Sequence, residues 1–326
     1  MDVNDVIVIT GAAGFIGSYL TGFFNSLGYN NLILVDDFSI ERKRANYIGK
    51  KYLQIIQRDV FFSWTENNQY NIQYVFHLGA RTDTTEMNYE VHKKWNLDYS
   101  KKMWDFCTLK NIPLVYASSA ATYGNGSLGY NDNHDIVPFL QPLNPYGVSK
   151  NEFDIWALQQ YKKPPYWAGL KFFNVYGPNE YHKGRMASVI LHAFYQIHEQ
   201  GKVQLFRSHN PEFKDGEQMR DFVYVKDVVK IAYWLMQNKP QNGLFNTGSG
   251  KARTFNDLVN TLFSVLHKPV NINYIDTPID IRDKYQYFTE ANMTKLISLG
   301  YSDSFYTLEN GVSEYVKNYL LDSIYY

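Results

Sequence analysis

The chain has 326 residues, which is enough for one large or two modest domains with an ample hydrophobic core. Its formal net charge is zero, so we expect neither nucleic acid nor an anionic membrane to attract the protein as a whole. The single cysteine, Cys107, cannot form an internal disulfide and is expected to be a packed thiol in a reducing compartment. No run of about 20 apolar residues predicts a membrane span, and the start of the sequence lacks the features of a signal peptide, so we expect a cytoplasmic protein.

The first predicted strand, residues 6–10, runs directly into a glycine-rich turn that is followed by helix-like sequence. Gly11 would allow the tight turn, Gly14 a close approach of the backbone to a pyrophosphate, and Gly17 close packing of the helix on the strand. The amino terminus of that helix would then face the phosphates of a dinucleotide. The alternative is an ordinary turn between a strand and a helix, without a ligand. We expect cofactor contacts from Gly11, Gly14, Phe15, Ile16 and Gly17.

Two carboxylates follow the second predicted strand, residues 31–35. Asp36 and Asp37 come about 20 residues after the glycine turn, which is the spacing of a carboxylate that binds the cofactor ribose. Such a carboxylate favours the free ribose of NAD, whereas Arg42 and Lys43 could pair with the additional phosphate of NADP. These residues alone leave the choice between NAD and NADP open.

Three further strands continue the pattern. They are predicted at residues 52–58, 74–78 and 113–117, with a helix over residues 91–109. Asp59 follows the first of them and could contact adenine, and Gly79 follows the second, where the backbone could again approach the cofactor. Strands that alternate with helices at this rhythm predict an α/β fold with a doubly wound parallel sheet of the Rossmann type.

Tyr146 and Lys150 lie in a predicted helix and are four residues apart, so both project from the same helical face. A phenol with a pKa of about 10 is a poor base at neutral pH, but a nearby ammonium and a cationic nicotinamide ring would stabilise its phenolate. Ser119, after the fifth strand, would hold the substrate oxygen beside the phenol. In isolation this Tyr–Lys spacing is more typical of a solvated helix face. Together with the glycine turn and the serine, it indicates a catalytic group.

The alternating rhythm breaks after the predicted strand 167–173. Beyond it the sequence predicts helices at 186–200, 254–266, 290–299 and 307–320, strands at 203–206 and 272–275, and a strand with a glycine turn at 243–250. No flexible linker separates the parts, so two interleaved domains are expected. The Rossmann domain would comprise residues 1–173 plus about 224–250 and 290–306, and a smaller α/β substrate domain about 174–223 plus 251–289 and 307–326.

The glycine turn and the combination of Ser119, Tyr146 and Lys150 resemble the extended short-chain dehydrogenase/reductase superfamily, whose members oxidise, epimerise or dehydrate nucleotide sugars. Within it, the chain most resembles the ADP-heptose 6-epimerase family. That resemblance rests on residues 77–86, 116–124, 173–189, Arg220 and 284–289. The run from His182 to Ser188 is its most distinctive part, because the Tyr–Lys pair is common to the whole superfamily.

The resemblance implies inversion of C6 of an ADP-heptose for lipopolysaccharide core synthesis, by transient oxidation to a ketone and re-reduction with tightly held NADP. It also implies a homopentamer. During inversion the ketone must turn its other face to the reduced cofactor, so the two proton transfers occur from different positions. A second acid/base group is therefore useful. The resemblance assigns that role to Lys183 and the first role to Tyr146. The alternative for Lys183 is a phosphate-binding or solvated lysine.

The same resemblance assigns further contacts residue by residue. For the cofactor they are Asp36, Asp37, Lys43, Asp59, Leu78, Gly79, Ala80, Arg81, Thr82, Asn96, Tyr146, Lys150, Val175 and Lys183. For the substrate they are Ser119, Asn174, His192, Phe206, Arg207, Ser208, His209, Arg220 and Tyr285, and Arg185 is expected as a further substrate contact particular to this chain. Arg220 would hold the diphosphate with its planar fork, or alternatively form a structural ion pair with Asp221 or Asp227. The chain departs from the family at Arg185, where a small residue is usual.

Other functions stay open at this point. A dehydratase would need an acid pair after Ser119, and residues 120–122 supply none, whereas a 4-epimerase of nucleotide sugars would share the Ser–Tyr–Lys set. A non-catalytic dinucleotide-binding regulator would keep the glycine turn and lose that set. The histidines at 77, 182 and 192 lack the spacing of metal ligands, so no metal is expected.

Overall fold

A seven-stranded parallel sheet lies at the centre of the computed structural model, which describes residues 1–282 and 285–326. Asp283 and Lys284, the latter part of the predicted 284–289 stretch, lie outside the described residues. The strands are β1 (Val6–Thr10), β2 (Leu32–Asp36), β3 (Gln54–Gln57), β4 (Ile72–His77), β5 (Leu114–Ser119), β6 (Trp167–Phe172), β7 (Asn174–Tyr176), β8 (Val203–Phe206), β9 (Met219–Tyr224), β10 (Gly243–Thr247), β11 (Ala252–Thr254) and β12 (Ile272–Ile275). The central order is β10-β6-β5-β4-β1-β2-β3, which confirms the doubly wound Rossmann prediction.

Helices cover both faces of this sheet, and further helices pack on strands outside it. They are α1 (Phe15–Ser26), α2 (Phe61–Asn67), α3 (Tyr89–His92), α4 (Tyr99–Leu109), α5 (Pro145–Gln159), α6 (Val189–Gln200), α7 (Val225–Asn238), α8 (Phe255–Val265), α9 (Ile279–Arg282), α10 (Thr294–Ser298) and α11 (Leu308–Tyr315). Within the described ranges, no helix has both the length and the apolar character that crossing a membrane requires.

The strand sequences explain why the sheet is buried on both faces. Along β1, Ile7 and Ile9 belong to one hydrophobic cluster, whereas Val8 between them belongs to the other. Successive side chains of a strand point to opposite faces, so a strand buried on both faces needs an unbroken apolar run. This is the pattern that predicted these strands from the sequence.

The helix predicted over residues 91–109 is not continuous. A π-helical turn, Lys93–Asp98, separates α3 from α4 and carries Asn96. Such turns inside helices are frequent at functional sites. The apolar pattern of this stretch predicts one continuous helix and gives no separate signal for the π-helical turn.

The chain leaves the central sheet directly after β6, where the sequence rhythm breaks. A second sheet has the order β11-β9-β7, and β12 pairs with β8 in a third. The chain returns to the central sheet with β10, which pairs with β6. This path is compatible with interleaved domains, and their predicted boundaries stay a prediction.

Candidate active site

A cavity of about 340 Å³ lies at the carboxyl ends of β1, β4, β5 and β6. This is the edge where ligands bind in doubly wound α/β sheets. The cavity brings together predicted residues from separate parts of the chain. They are Phe15, Ile16, Leu78, Ala80, Thr82, Ser119, Tyr146, Lys150, Asn174, Val175 and Lys183.

The glycine turn has the geometry that close backbone approach requires. Gly11 has φ +69°, and a Cβ on it would lie 2.7 Å from the Gly79 nitrogen. A Cβ on Gly17 would lie 2.2 Å from the Gly11 carbonyl oxygen, so α1 could not pack as it does with any other residue there. Gly14 is the N-cap of α1 and has no side chain to occupy the amides of the first turn. Such a helix amino terminus suits a pyrophosphate, so these residues fit a dinucleotide.

Each of the two carboxylates after the glycine turn has a cationic partner. Asp36 accepts from the Lys43 amine at 2.9 Å and from the Ala13 amide at 2.9 Å. Asp37 lies 3.2 Å from the Arg58 guanidinium. Hydrogen bonds from Ser39 and the charge of Arg58 lower the pKa of Asp37. Lys43 and Arg58 therefore offset the negative charge of the two carboxylates at the site predicted for the cofactor ribose.

A hydrogen-bond chain fixes the backbone after β4. Ser100 Oγ donates to the Asn96 carbonyl at 2.5 Å, so it accepts from His77 Nε2–H at 3.0 Å. His77 Nδ1 is then free to accept from the Thr10 hydroxyl at 2.7 Å, and Thr10 Oγ1 in turn accepts from the Gly79 amide at 3.1 Å. Burial lowers the pKa of His77 to about 3, so the imidazole is neutral at pH 7.

Asn96 links this loop to the helix that carries Tyr146. Its Oδ1 accepts from the Arg81 amide at 2.7 Å, and its Nδ2 donates to the Arg81 carbonyl at 3.0 Å. The same Nδ2 donates to Ser149 Oγ at 3.0 Å, which donates to the Tyr146 carbonyl at 2.7 Å. The side chain of Asn96 therefore holds backbone that lines the cavity.

Local sequence explains why α5 begins where it does. Asn144 caps the helix by accepting from the Gly147 amide at 2.8 Å, and Pro145 takes the first helical position. Tyr146 thus stands in the first turn and Lys150 one turn later, both facing the cavity.

Burial raises the pKa of the Tyr146 phenol, and the nearby hydroxyl of Ser119 acts in the opposite sense. Lys150 Nζ donates to the Ala117 carbonyl at 2.7 Å. Burial lowers the pKa of Lys150 to about 8. The phenol is therefore protonated at rest, and its conversion to a base requires further positive charge.

Lys183 enters the same cavity from the 3₁₀ turn Tyr181–Met186. Its amine lies 5.4 Å from the centre of the Phe15 ring, at the start of α1. Burial lowers the pKa of Lys183, and the nearby carboxylate of Glu180 acts in the opposite sense. Lys183 therefore lies beside Phe15, which follows the glycine turn, on a separate segment from Tyr146.

Arg220 is only 7% exposed and is surrounded by aromatic rings. Its guanidinium carbon lies 5.3 Å from the Tyr285 ring centre and 5.6 Å from the Phe255 ring centre. It donates to the Met219 carbonyl at 2.8 Å and to the Gln286 carbonyl. Phe255 also lines the cavity, which connects this cluster to the Tyr146 site.

The structure gives no support to an ion pair of Arg220 with its neighbours in the described part of the chain. Asp221 accepts from Ser249, Gly250 and Ala291, and Asp227 accepts from the Tyr306 amide. Phe206 packs edge-on to Tyr285 with ring centres 6.3 Å apart, so two more predicted substrate residues lie in the Arg220 cluster.

Other predicted contacts lie outside the cavity lining and stay predictions. Asp59, Arg81, Arg185, His192, Arg207 and His209 are exposed. His209 Nε2 accepts from the Thr277 amide at 3.3 Å, and Ser208 donates its amide to Asp215 at 2.9 Å. Within residues 1–282 and 285–326, no three His, Cys, Asp or Glu side chains lie close enough to share a metal ion.

Some lining residues were not predicted. Phe222 and Phe255 come from the second sheet and from α8, and sequence offers no signal that places them here. Ser188 caps α6 by accepting from the Leu191 amide at 3.2 Å and also lines the cavity. A serine directly before an apolar helical run is a capping signal, so Ser188 could have been found.

A family model described as the NAD dependent epimerase/dehydratase family matches residues 7–248, and the chain therefore belongs to that family. A nicotinamide dinucleotide is accordingly its cofactor class. Curated relatives make the comparison more specific. The chain is 46% identical to an ADP-L-glycero-D-manno-heptose-6-epimerase of Fusobacterium nucleatum, over 97% of this chain and 98% of the relative. It is 45% identical to the protein of that name from Nitratidesulfovibrio vulgaris, over 96% and 97%.

Solved structures agree with these relatives. The ADP-L-glycero-D-manno-heptose-6-epimerase of Helicobacter pylori matches with a TM-score of 0.83 and 29% identity, covering 99% of this chain and 98% of that one. A UDP-N-acetylglucosamine 4-epimerase from Methanobrevibacter ruminantium matches with a TM-score of 0.82 at 24% identity, covering 98% and 99%, which shows a common fold. The predicted resemblance to the ADP-heptose 6-epimerase family is thereby confirmed, and the chain is an enzyme of epimerase type.

Proposed function

We propose that the chain inverts C6 of the heptose in ADP-D-glycero-D-manno-heptose to give ADP-L-glycero-D-manno-heptose. The names of the relatives support this substrate. One observation carries the proposal. Tyr146 and Lys183 come from different segments and line one cavity beside the glycine turn, which is the arrangement that acid/base chemistry on two faces of one carbon requires.

When bound, the nicotinamide cofactor supplies the acceptor and later the donor of a hydride, and its oxidised form adds a positive charge beside the phenol. Tyr146 removes the proton from the C6 hydroxyl in one orientation of the substrate. Ser119 lines the same cavity as Tyr146 and orients that oxygen with its hydroxyl. After the ketone has presented its other face, Lys183 delivers its own ammonium proton to the C6 oxygen, and net transfer of one proton from Tyr146 to Lys183 restores both groups. The reaction has no net oxidation, so nothing requires the cofactor to leave.

The resting charges of the two groups suit these roles. Burial raises the pKa of Tyr146, so the phenol holds its proton until another cation is near. Burial lowers the pKa of Lys183, so its amine can release a proton more readily than an ordinary lysine. The direction for Lys183 favours proton exchange at neutral pH, whereas Tyr146 becomes a base only with additional positive charge beside it. The assignment of these residues as acid/base groups is part of the proposal.

We further propose NADP as the cofactor. Its support is the pairing of Asp36 with Lys43 and of Asp37 with Arg58, which reduces the negative charge that would repel a ribose phosphate. Arg42 is exposed beside them and adds a third cation. For the substrate, we propose that Arg220 holds the diphosphate while Asn174, on the cavity wall, contacts the sugar.

We also propose that the enzyme is a cytoplasmic homopentamer, as the family resemblance implies. Two aromatic side chains support assembly of some kind, since Phe139 is 70% exposed and Tyr161 is 98% exposed. Exposed aromatic rings are enriched at protein interfaces. Light scattering of the purified protein measures the number of subunits directly.

Incubation with ADP-D-glycero-D-manno-heptose carrying deuterium at C6 tests the proposed function. We expect the L-glycero epimer to form and to keep its deuterium, because the same hydride returns to the carbon. UDP-glucose and UDP-galactose, the substrates of a 4-epimerase, should remain unchanged. Conversion of the UDP-sugars without conversion of the ADP-heptose would contradict the proposal.

A further inference from the structure

Glu180 is a buried carboxylate that joins the two ends of the segment carrying Lys183. Its Oε1 accepts from the Gly177 amide at 3.3 Å, just after β7. Its Oε2 accepts from the Ser188 amide at 2.5 Å, and its Oε1 from the Ser188 hydroxyl at 2.7 Å, at the start of α6. Tyr315 of α11 donates its hydroxyl at 3.2 Å. The Glu180 side chain therefore links Gly177 and Ser188, which lie on either side of Lys183 in the sequence, and connects both to α11.

The hydrogen bonds indicate that Glu180 is ionised. Ser188 Oγ accepts from the Leu191 amide, so its own proton points to Glu180. The two amides can only donate, and with the serine they place three donors around the carboxylate. A carboxylate that accepts several such bonds is stabilised in its charged form. Burial raises the pKa of Glu180, while Lys183 and the Ser188 bonds act in the opposite sense.

Several charged or titratable groups lie near Lys183, and Glu180 is the carboxylate among them that acts on its charge. From α5, Tyr146 and Lys150 face the same cavity. From β2 and the 3₁₀ turn after it, Asp36 and Lys43 act on the neighbouring His182. On its own turn Lys183 has Tyr181 and Arg185 as neighbours. In the described part of the chain, Glu180 is the carboxylate that acts on the charge of Lys183.

We propose that Glu180 is a positioning residue for Lys183, which holds its segment against the cavity and balances its charge. The proposal rests on the acid/base role given to Lys183 above. It explains why a buried carboxylate lies three residues before a cavity lysine without forming a salt bridge to it. A direct pair would occupy the amine, whereas a carboxylate one turn away leaves it free for the substrate.

Two substitutions separate the two parts of this role. Glu180→Gln keeps the shape and removes the charge, so the apparent pKa of Lys183 should fall by about one pH unit. The limb of the pH profile of kcat that belongs to Lys183 should move with it. Glu180→Asp keeps the charge but is one methylene shorter, so kcat should fall at least tenfold while that limb stays in place. NADP content and thermal unfolding of each variant report whether the fold is intact.

Competitive trace acetylation of the holoenzyme, read by mass spectrometry, measures the pKa of Lys183 without any sugar substrate. Lys150 is the internal control, because the carboxylate that acts on it is Asp154. An unchanged Lys183 pKa in Glu180→Gln would overturn the proposal. If Glu180→Gln does not fold, wild-type activity in Glu180→Asp would overturn it equally.

A double substitution tests whether Glu180 acts through Lys183. In the Lys183→Met background, Glu180→Gln should lower the residual epimerisation less than twofold further. If Glu180→Gln lowers epimerisation in that background by the same factor as it does in the wild-type enzyme, Glu180 acts on the fold alone. A wild-type enzyme that does not convert ADP-heptose would refute the proposed function, and the acetylation result would still decide the role of Glu180.

Discussion

Lys171 and Asp154 form a fully buried ion pair, with Nζ 2.7 Å from Oδ2, beneath the helix that carries Tyr146 and Lys150. Asp154 also accepts from the hydroxyl of Ser118 at 2.6 Å and from that of Tyr116 at 3.0 Å. It lies one helical turn beyond Lys150, whose pKa it raises. The pair therefore fixes α5 to β5 and β6 and places a negative charge behind Lys150.

Asp154→Asn should lower the free energy of unfolding by about 3–5 kcal/mol, because it leaves the Lys171 ammonium buried without a counter-charge. Urea unfolding measures this loss. Asp154→Asn combined with Lys171→Met should recover part of it, since the double variant buries no charge. Glu41→Gln is the control, because it removes the exposed pair of Glu41 with Arg44 and should leave the midpoint unchanged. An equally small effect of Asp154→Asn would contradict a structural role for the buried pair.

Lys43→Ala and Arg42→Ala together should weaken NADP binding far more than NAD binding. Each charge-assisted contact with the ribose phosphate is worth about 1.5–3 kcal/mol, which is more than tenfold in the dissociation constant. Isothermal titration with both cofactors measures the preference. Arg44→Ala is the matched control, because Arg44 pairs with exposed Glu41. An unchanged preference in the double variant would remove these residues from the NADP site.

Arg220→Lys keeps the positive charge and loses the planar fork that lies near Tyr285 and Phe255. We expect the KM for ADP-heptose to rise about tenfold or more, with NADP binding unchanged. Kinetics and cofactor titration of the same preparation give both values. Equal losses of substrate and cofactor binding would instead indicate a role in joining the two sheets.

The stability of the protein should rise with pH between about 3 and 6.5, in part because of His77. Its pKa is about 3 in the folded protein and about 6.5 when unfolded, so in this range the unfolded state binds more protons. The contribution of His77 is complete above pH 6.5 and is lost as the pH falls towards 3. His77→Asn should reduce the slope of unfolding free energy against pH by about 1.4 kcal/mol per pH unit. The exposed His192→Asn is the control, and an unchanged slope in His77→Asn would show that His77 is protonated in the fold.

The parts of the site that sequence predicts well are those whose chemistry is local. Gly11 and Gly17 predict close backbone contacts within one turn of the chain. The four-residue spacing of Tyr146 and Lys150 places both side chains on the same helical face. The cap at Asn144 acts within the same few residues. In each case the physical cause lies within about one helical turn of sequence, so the pattern is readable.

Local sequence patterns do not predict the residues that act through tertiary contacts. The family resemblance alone predicts a role for Lys183, because no local pattern shows that its turn meets Phe15 across the cavity. Arg58 pairs with Asp37 only because β2 and β3 are neighbours in the sheet. Glu180 has three of its donors a few residues away, but the donation from Tyr315 crosses 135 residues of chain. Packing, rather than spacing, decides these contacts.

The central claim is that Tyr146 and Lys183 serve two faces of one carbon, and an ADP-sugar carrying an aldehyde at C6 tests it most directly. Two such molecules can be converted, with water, into one alcohol and one acid, which needs hydride transfer and a single acid/base group but no inversion. Tyr146→Phe and Lys183→Met should each lose epimerisation by a factor of about 10² to 10⁴. Each should retain part of the dismutation with cofactor bound, and the double variant should lose it. Normal epimerisation by Lys183→Met would contradict the claim.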